Sequence, residues 1–202
     1  MKKRTTMLAL LLATGAGTCL QAQEKLTQFK VRDAITVRTP IMNDSINPKG
    51  EKYADKDLLK TPVVLDLADA PFQVLSTDTA GVLSFPKAEK DHSIYLLETS
   101  LRAERFMTGK LKVTSPARWE IFINGESKMS KENAEDSISG ASTREVNLRL
   151  EPEADYEITI KLLSGSKDKA VPTLKCELIK DDKFKDCLLY TSPSPRDMRR
   201  SR

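Results

Sequence analysis

The chain has 202 residues, 39% hydrophobic and 31% charged, with a formal charge of +4. The basic excess belongs to the two ends: Lys2, Lys3 and Arg4 at one, and Arg196, Arg199, Arg200 and Arg202 against Asp197 at the other, which leaves residues 23–186 with 26 bases, 28 acids and a net of −2. That balance removes the composition argument for a nucleic-acid or anionic-membrane partner, and with Cys19 and Cys187 in the ends, the single Cys176 removes a disulfide framework.

Residues 1–22 read as an export signal. Lys2-Lys3-Arg4 is a positive start, residues 7–20 are largely apolar, and small Ala22 precedes the expected cut between Ala22 and Gln23. The run is too short and too rich in Gly and Thr for a membrane span, which takes about 20 apolar residues. The protein is therefore expected in the periplasm or outside the cell. A lipoprotein anchored through Cys19 is the alternative, although Thr18 stands where Gly or Ala is usual.

Residues 23–186 alternate with period two. Phe29-Lys30-Val31-Arg32 and Ala34-Ile35-Thr36-Val37-Arg38 read as strands, although 23–60 also reads as an irregular leader. Residues 42–54 are polar, 55–60 fit one helical turn before Pro62, and 63–67 fit a short strand. Phe72-Gln73-Val74-Leu75 and Val82-Leu83-Ser84-Phe85 flank Asp78-Thr79-Ala80-Gly81, which reads as a hairpin with Gly81 at positive φ. Residues 93–100 read as a strand, 101–106 fit neither period, and Gly109 is expected to end that segment. Leu111 and Val113 share one face, as do Trp119, Ile121 and Ile123, before the turn pair Asn124-Gly125. Residues 126–143 read as a long polar loop. Val146, Leu148 and Leu150 alternate next, then Tyr156, Ile158, Ile160 and Leu162, then Leu174, Cys176 and Leu178. The pattern predicts an all-β fold, an antiparallel β-sandwich of jelly-roll type, over residues 23–186.

The end of the chain is of another kind. Cys187-Leu188-Leu189-Tyr190-Thr191-Ser192-Pro193-Ser194-Pro195-Arg196-Asp197 resembles one translated frame of a transposase sequencing adapter, and Ser201-Arg202 fits the constant stretch after its index. Residues 187–202 are therefore expected to be a non-native, disordered tail, and the natural chain is expected to continue differently after Asp186.

No catalytic set is expected. His92 is the one histidine, in the polar run Lys90-Asp91-His92-Ser93, and reads as a solvated loop residue. Cys176 sits in an apolar register and reads as a core hydrophobe. One His and one Cys cannot make a zinc set, and Asn43-Asp44 and Glu135-Asp136 lack the alternating oxygens of a calcium loop. No Gly-x-Ser-x-Gly elbow or phosphate loop occurs in residues 23–186. No metal or cofactor is expected. Trp119, Asn124 and Tyr156 are the candidate binding residues, as a sugar-stacking platform beside a turn. The apolar register of Trp119 and Tyr156 favours core packing over that platform.

Trp119-Glu120-Ile121-Phe122-Ile123-Asn124-Gly125, followed by Val146-Asn147-Leu148-Arg149-Leu150 and Tyr156-Glu157-Ile158-Thr159-Ile160, resembles the galactose-binding-like and protective-antigen-type sandwiches of secreted enzymes. The Asp-Asp motif of some protective-antigen-type modules is missing, so no binding residue is carried over. Arg38-Thr39-Pro40-Ile41-Met42-Asn43-Asp44-Ser45, with Lys49-Gly50-Glu51-Lys52-Tyr53, resembles the region before the β-propeller in exported prolyl oligopeptidase family serine peptidases. That resemblance implies a catalytic α/β-hydrolase domain further along the parent chain, acting on short peptides. The expected function is a non-catalytic accessory domain of such a peptidase, whose partners are its own downstream domains. The alternative is a carbohydrate-binding module of a secreted glycan-degrading enzyme.

Overall fold

The computed structural model describes residues 23–37, 49–51, 54–60, 72–89 and 91–192. The export signal with Ala22 and Cys19, the strand expected at 63–67, the motif at 38–45 and residues 193–202 lie outside them. In chain order the strands are β1 (Gln23–Lys25), β2 (Gln28–Arg32), β3 (Ile35–Val37), β4 (Phe72–Ser76), β5 (Val82–Ser84), β6 (His92–Ala103), β7 (Met107–Thr114), β8 (Arg118–Ile123), β9 (Glu126–Lys131), β10 (Thr143–Leu150), β11 (Asp155–Gly165), β12 (Thr173–Lys180) and β13 (Leu189–Ser192). A single-turn helix α1 (Asp55–Leu59) falls between β3 and β4.

The strands form two antiparallel sheets. One runs β1-β12-β7-β10, with β5 also on β12; the other runs β4-β2-β6-β11-β8-β9, with β3 and β13 also on β6. The expected antiparallel β-sandwich is the architecture found. Alternation decides which side chains meet between the sheets. Phe29 and Val31 of β2, Tyr95 and Leu97 of β6, Leu111 and Val113 of β7 and Trp119 and Ile121 of β8 join Leu148, Ile160, Leu162, Cys176 and Leu178 in one buried cluster. Each such aliphatic side chain contributes about 1.5–3 kcal/mol on leaving water.

The eight-stranded sheet departs from the one-apolar-face expectation at its centre. Leu58 and Leu59 of α1 cover Ile94 and Leu96 of β6 and Leu163 of β11 on the side away from the sandwich core. Consecutive residues Ile94–Leu97 are therefore all apolar, because both faces are covered there.

Several segments differ from their expected form. Residues 23–37 are no irregular leader: β1 pairs β12 in one sheet and β2 pairs β6 in the other. The expected hairpin at 72–85 is not formed. Its turn exists, with Gly81 at φ +83 and the Val82 N–H held by Asp78 Oδ1 at 2.8 Å. Its two strands, however, go to different sheets, β4 to β2 and β5 to β12. Gly109 lies inside β7 rather than ending a segment. A Cβ there would stand 2.5 Å from the Ile179 carbonyl oxygen, so the glycine permits close approach of β12. The expected loop at 126–143 begins as β9, an edge strand paired with β8 across a bulge at Ile121/Phe122. Residues 187–192 are described against β6. Cys187 is buried beside Ala103, Met107 and Leu150, and β13 pairs Ser100–Ala103 of β6. That stretch of β6 has no other partner on this edge among the described residues, and an open edge takes up extended backbone.

Candidate functional site

Trp119 is 0% exposed and sits between the sheets, so its ring offers no face to a ligand. Asn124 and Tyr156, far apart in sequence, come together at one end of the sandwich. Asn124 adopts φ 52 and Gly125 φ 80, the left-handed pair of a two-residue hairpin turn between β8 and β9. Its backbone N–H donates to the Glu157 carbonyl at 2.8 Å, and its Oδ1 accepts the Glu157 N–H at 2.8 Å. The turn is thereby fixed against the start of β11. Tyr156, half-buried, is the second residue of that strand. Its hydroxyl accepts the Glu151 N–H at 2.9 Å and ties down the β10–β11 turn.

These residues line a cleft of about 300 Å³. Ile123 and Asn124 contribute from the end of β8, Glu126 and Lys128 from β9, and Tyr156 from β11. The opposing wall is Asn147, Leu148 and Arg149 of β10. Among the described residues β10 pairs only with β7, so its other edge faces this cleft. Arg144 closes the far end of that edge by donating to the Ser130 carbonyl at 3.1 Å. The charges in the cleft are paired within the protein, Lys128 with Glu126 at 2.6 Å and Arg149 with Glu151 at 3.2 Å. The Asn147 carboxamide makes no hydrogen bond among the described residues. The cleft thus offers an aromatic ring, aliphatic surface and neutral donor–acceptor groups, a mixture that suits an uncharged, hydroxyl-rich ligand. The sequence reading missed Asn147 and Arg149. Their only local signal was outward placement in the alternation of 146–150.

His92 is not a solvated loop residue. It begins β6, its side chain is 14% exposed, and Nε2 lies 3.2 Å from Asp55 Oδ1. Arg118 Nη2 donates to Asp55 Oδ2 at 2.6 Å, and Nη1 donates to both carboxylate oxygens of Asp168 at 3.0 Å. Asp168 also accepts the Gly165 N–H at 2.7 Å. This group clasps α1 to the back of the eight-stranded sheet. Cys176 lies between the sheets instead, where burial pushes its thiol well above the usual range. Imidazole and thiol are on opposite faces of that sheet, so they do not form a nucleophilic pair. Among the described residues, no three His, Cys, Asp or Glu side chains gather in a metal-holding group. No helix among them is long and apolar enough to cross a membrane.

No family model matches the chain, and no curated protein matches it. Solved structures similar to it include a β-glucosidase from Kluyveromyces marxianus in complex with glucose, at 11% identity and TM-score 0.46 over 78% of this chain. The chain spans 17% of that enzyme's length. The PA14 sugar-binding domain from an RTX adhesin is similar at 10% identity and TM-score 0.43, covering 83% of this chain and 96% of that one. The PA14 domain of the MpAFP antifreeze protein is similar at 9% identity and TM-score 0.40, over 94% of this chain and 96% of its own. With identities near 10% and TM-scores below 0.5, the functional reading rests on this chain's own residues. The peptidase resemblance rests on residues 38–45 and 49–53, of which only 49–51 are described, so the fold adds nothing to it.

Proposed function

We propose that the chain is a non-catalytic, carbohydrate-binding β-sandwich module of an exported protein, with its ligand seated in the cleft between the β8–β9 turn and the edge of β10. The observation that carries this reading is the meeting of the Tyr156 ring with the Asn124 and Asn147 carboxamides in a cleft whose charges are already neutralised. Uncharged polyols bind through such directional neutral hydrogen bonds and apolar stacking, and pay little to desolvate there. A glycan array probed with the full chain tests the reading. Binding to a defined glycan class, reduced by Asn147→Ala, supports it. An array without signal from a folded, monodisperse protein refutes it. Asn147→Ala is the informative variant because its side chain is exposed and holds no part of the fold together. Tyr156→Ala would also release the Glu151 N–H and so disturb the turn.

A further inference from the structure

The cleft has a neighbour. A second depression of about 400 Å³ opens over Thr108, Gly109 and Lys110 of β7 and reaches Asp181 beyond β12. Both are walled by the same three residues, Asn147, Leu148 and Arg149. They therefore lie on either side of one edge strand, β10, and meet across it. Ligand sites usually enclose about 300–1,000 Å³, so the first cleft alone is at the small end of that range while the two together are well inside it. Resting on the carbohydrate reading, we infer that the ligand is a linear, uncharged oligosaccharide laid across β10, with at least one sugar unit in each cleft and the Asn147 carboxamide between them.

The charge pattern argues for an uncharged chain. Lys110 in the second cleft is held by Glu145 at 2.8 Å, as Lys128 and Arg149 are held by their own carboxylates in the first. The Asp181 carboxylate in turn accepts a hydrogen bond from the Thr108 hydroxyl. An acidic glycan would have to displace these partners, whereas a neutral one need not. The placement of Asn147 argues for a chain rather than a single terminal sugar. It faces outward on β10, directly across from Lys110 of β7 in the ladder, and is shared by both depressions.

The test is calorimetric titration of the full chain with cello-, xylo- and manno-oligosaccharides of increasing length, each beside its monosaccharide, at low and high salt. The expected result is one series whose affinity rises at least about tenfold from monomer to trimer and is indifferent to salt. Asn147→Ala should weaken the trimer about five- to tenfold, the equivalent of one hydrogen bond. Lys110→Ala should flatten the length dependence, and Lys169→Ala, on a remote exposed pair with Asp136, should change nothing. Equal affinity for monomer and trimer, or a length dependence untouched by Lys110→Ala, overturns the inference and leaves the carbohydrate reading standing. Affinity that collapses with salt overturns the uncharged ligand. Failure of every sugar, together with a blank array, overturns both.

Discussion

Trp119 is the chain's single indole and lies wholly between the sheets. Its fluorescence should therefore be blue-shifted in the folded protein and unmoved by saturating glycan; a shift on binding would place the ring at the ligand and not in the core. Trp119→Ala should cost about 3–5 kcal/mol by denaturant titration, the usual penalty for emptying a large aromatic site. Cys176, on the neighbouring sheet, has its thiol pushed up by burial. Mass-mapped alkylation should leave it unmodified at neutral pH until denaturant is added, since the thiolate is the reactive form. For these two residues the strand alternation was enough, because burial between two sheets follows directly from side-chain parity. It was not enough for His92. A lone polar residue after Lys90-Asp91 gives no local sign that Asp55 will meet it from α1, and that contact exists only in the folded chain.

Elements were legible where one face was buried and obscure where none was. The strand β9, Glu-Ser-Lys-Met-Ser-Lys, lies at a sheet edge and is largely exposed over its first half, so it carries no period-two signal. Its ladder to β8 and Met129 against the core hold the strand, and ionic contacts fix its end and the loop after it. Lys131 is almost fully buried and donates to the Ser115 carbonyl at 2.5 Å and to Glu135 at 2.8 Å. Burial, the largest single influence on Glu135, raises its carboxyl, but the hydrogen bonds from Lys131 and Ser142, with the charge of Lys131, outweigh it and hold the group below its ordinary value. A depressed carboxyl stabilises the fold above its unfolded pKa, about 4.3, and that contribution is lost as pH falls through the folded value. Glu135→Gln should lower stability by about 1–3 kcal/mol at pH 7 and by progressively less in acid; a pH-independent difference between variant and wild type would contradict this account. Gly109 shows the opposite failure. Glycine reads as a breaker, yet here it permits two strands to approach, and Gly109→Ala should cost about 1–3 kcal/mol because the obstacle is the Ile179 backbone rather than a side chain that can turn away.

At the scale of the whole molecule, the partition of strands between two sheets was hidden from the sequence because the pairings that make it are non-local. Residues 23–25 join residues 177–179, and 72–76 separates from 82–84 although only a turn divides them. The same non-locality put Asn124, Asn147 and Tyr156 in one cleft. It also gives β6 a divided edge: β11 covers one side for nearly its whole length, while β3, β2 and β13 share the other in short pieces. Ladder hydrogen bonds read backbone and not side chains, so Ser100–Ala103 can accept residues 189–192 whatever the origin of that segment. Deleting residues 187–202 should then have two effects. Stability should fall by about 1–3 kcal/mol as Cys187 leaves its place beside Ala103, Met107 and Leu150 and the half-buried Leu189 is lost. The bared edge should also pair with other copies, visible as concentration-dependent dimerisation in sedimentation. If the shortened chain is monomeric and equally stable, β13 adds nothing to the sandwich and the edge of β6 is protected by other means.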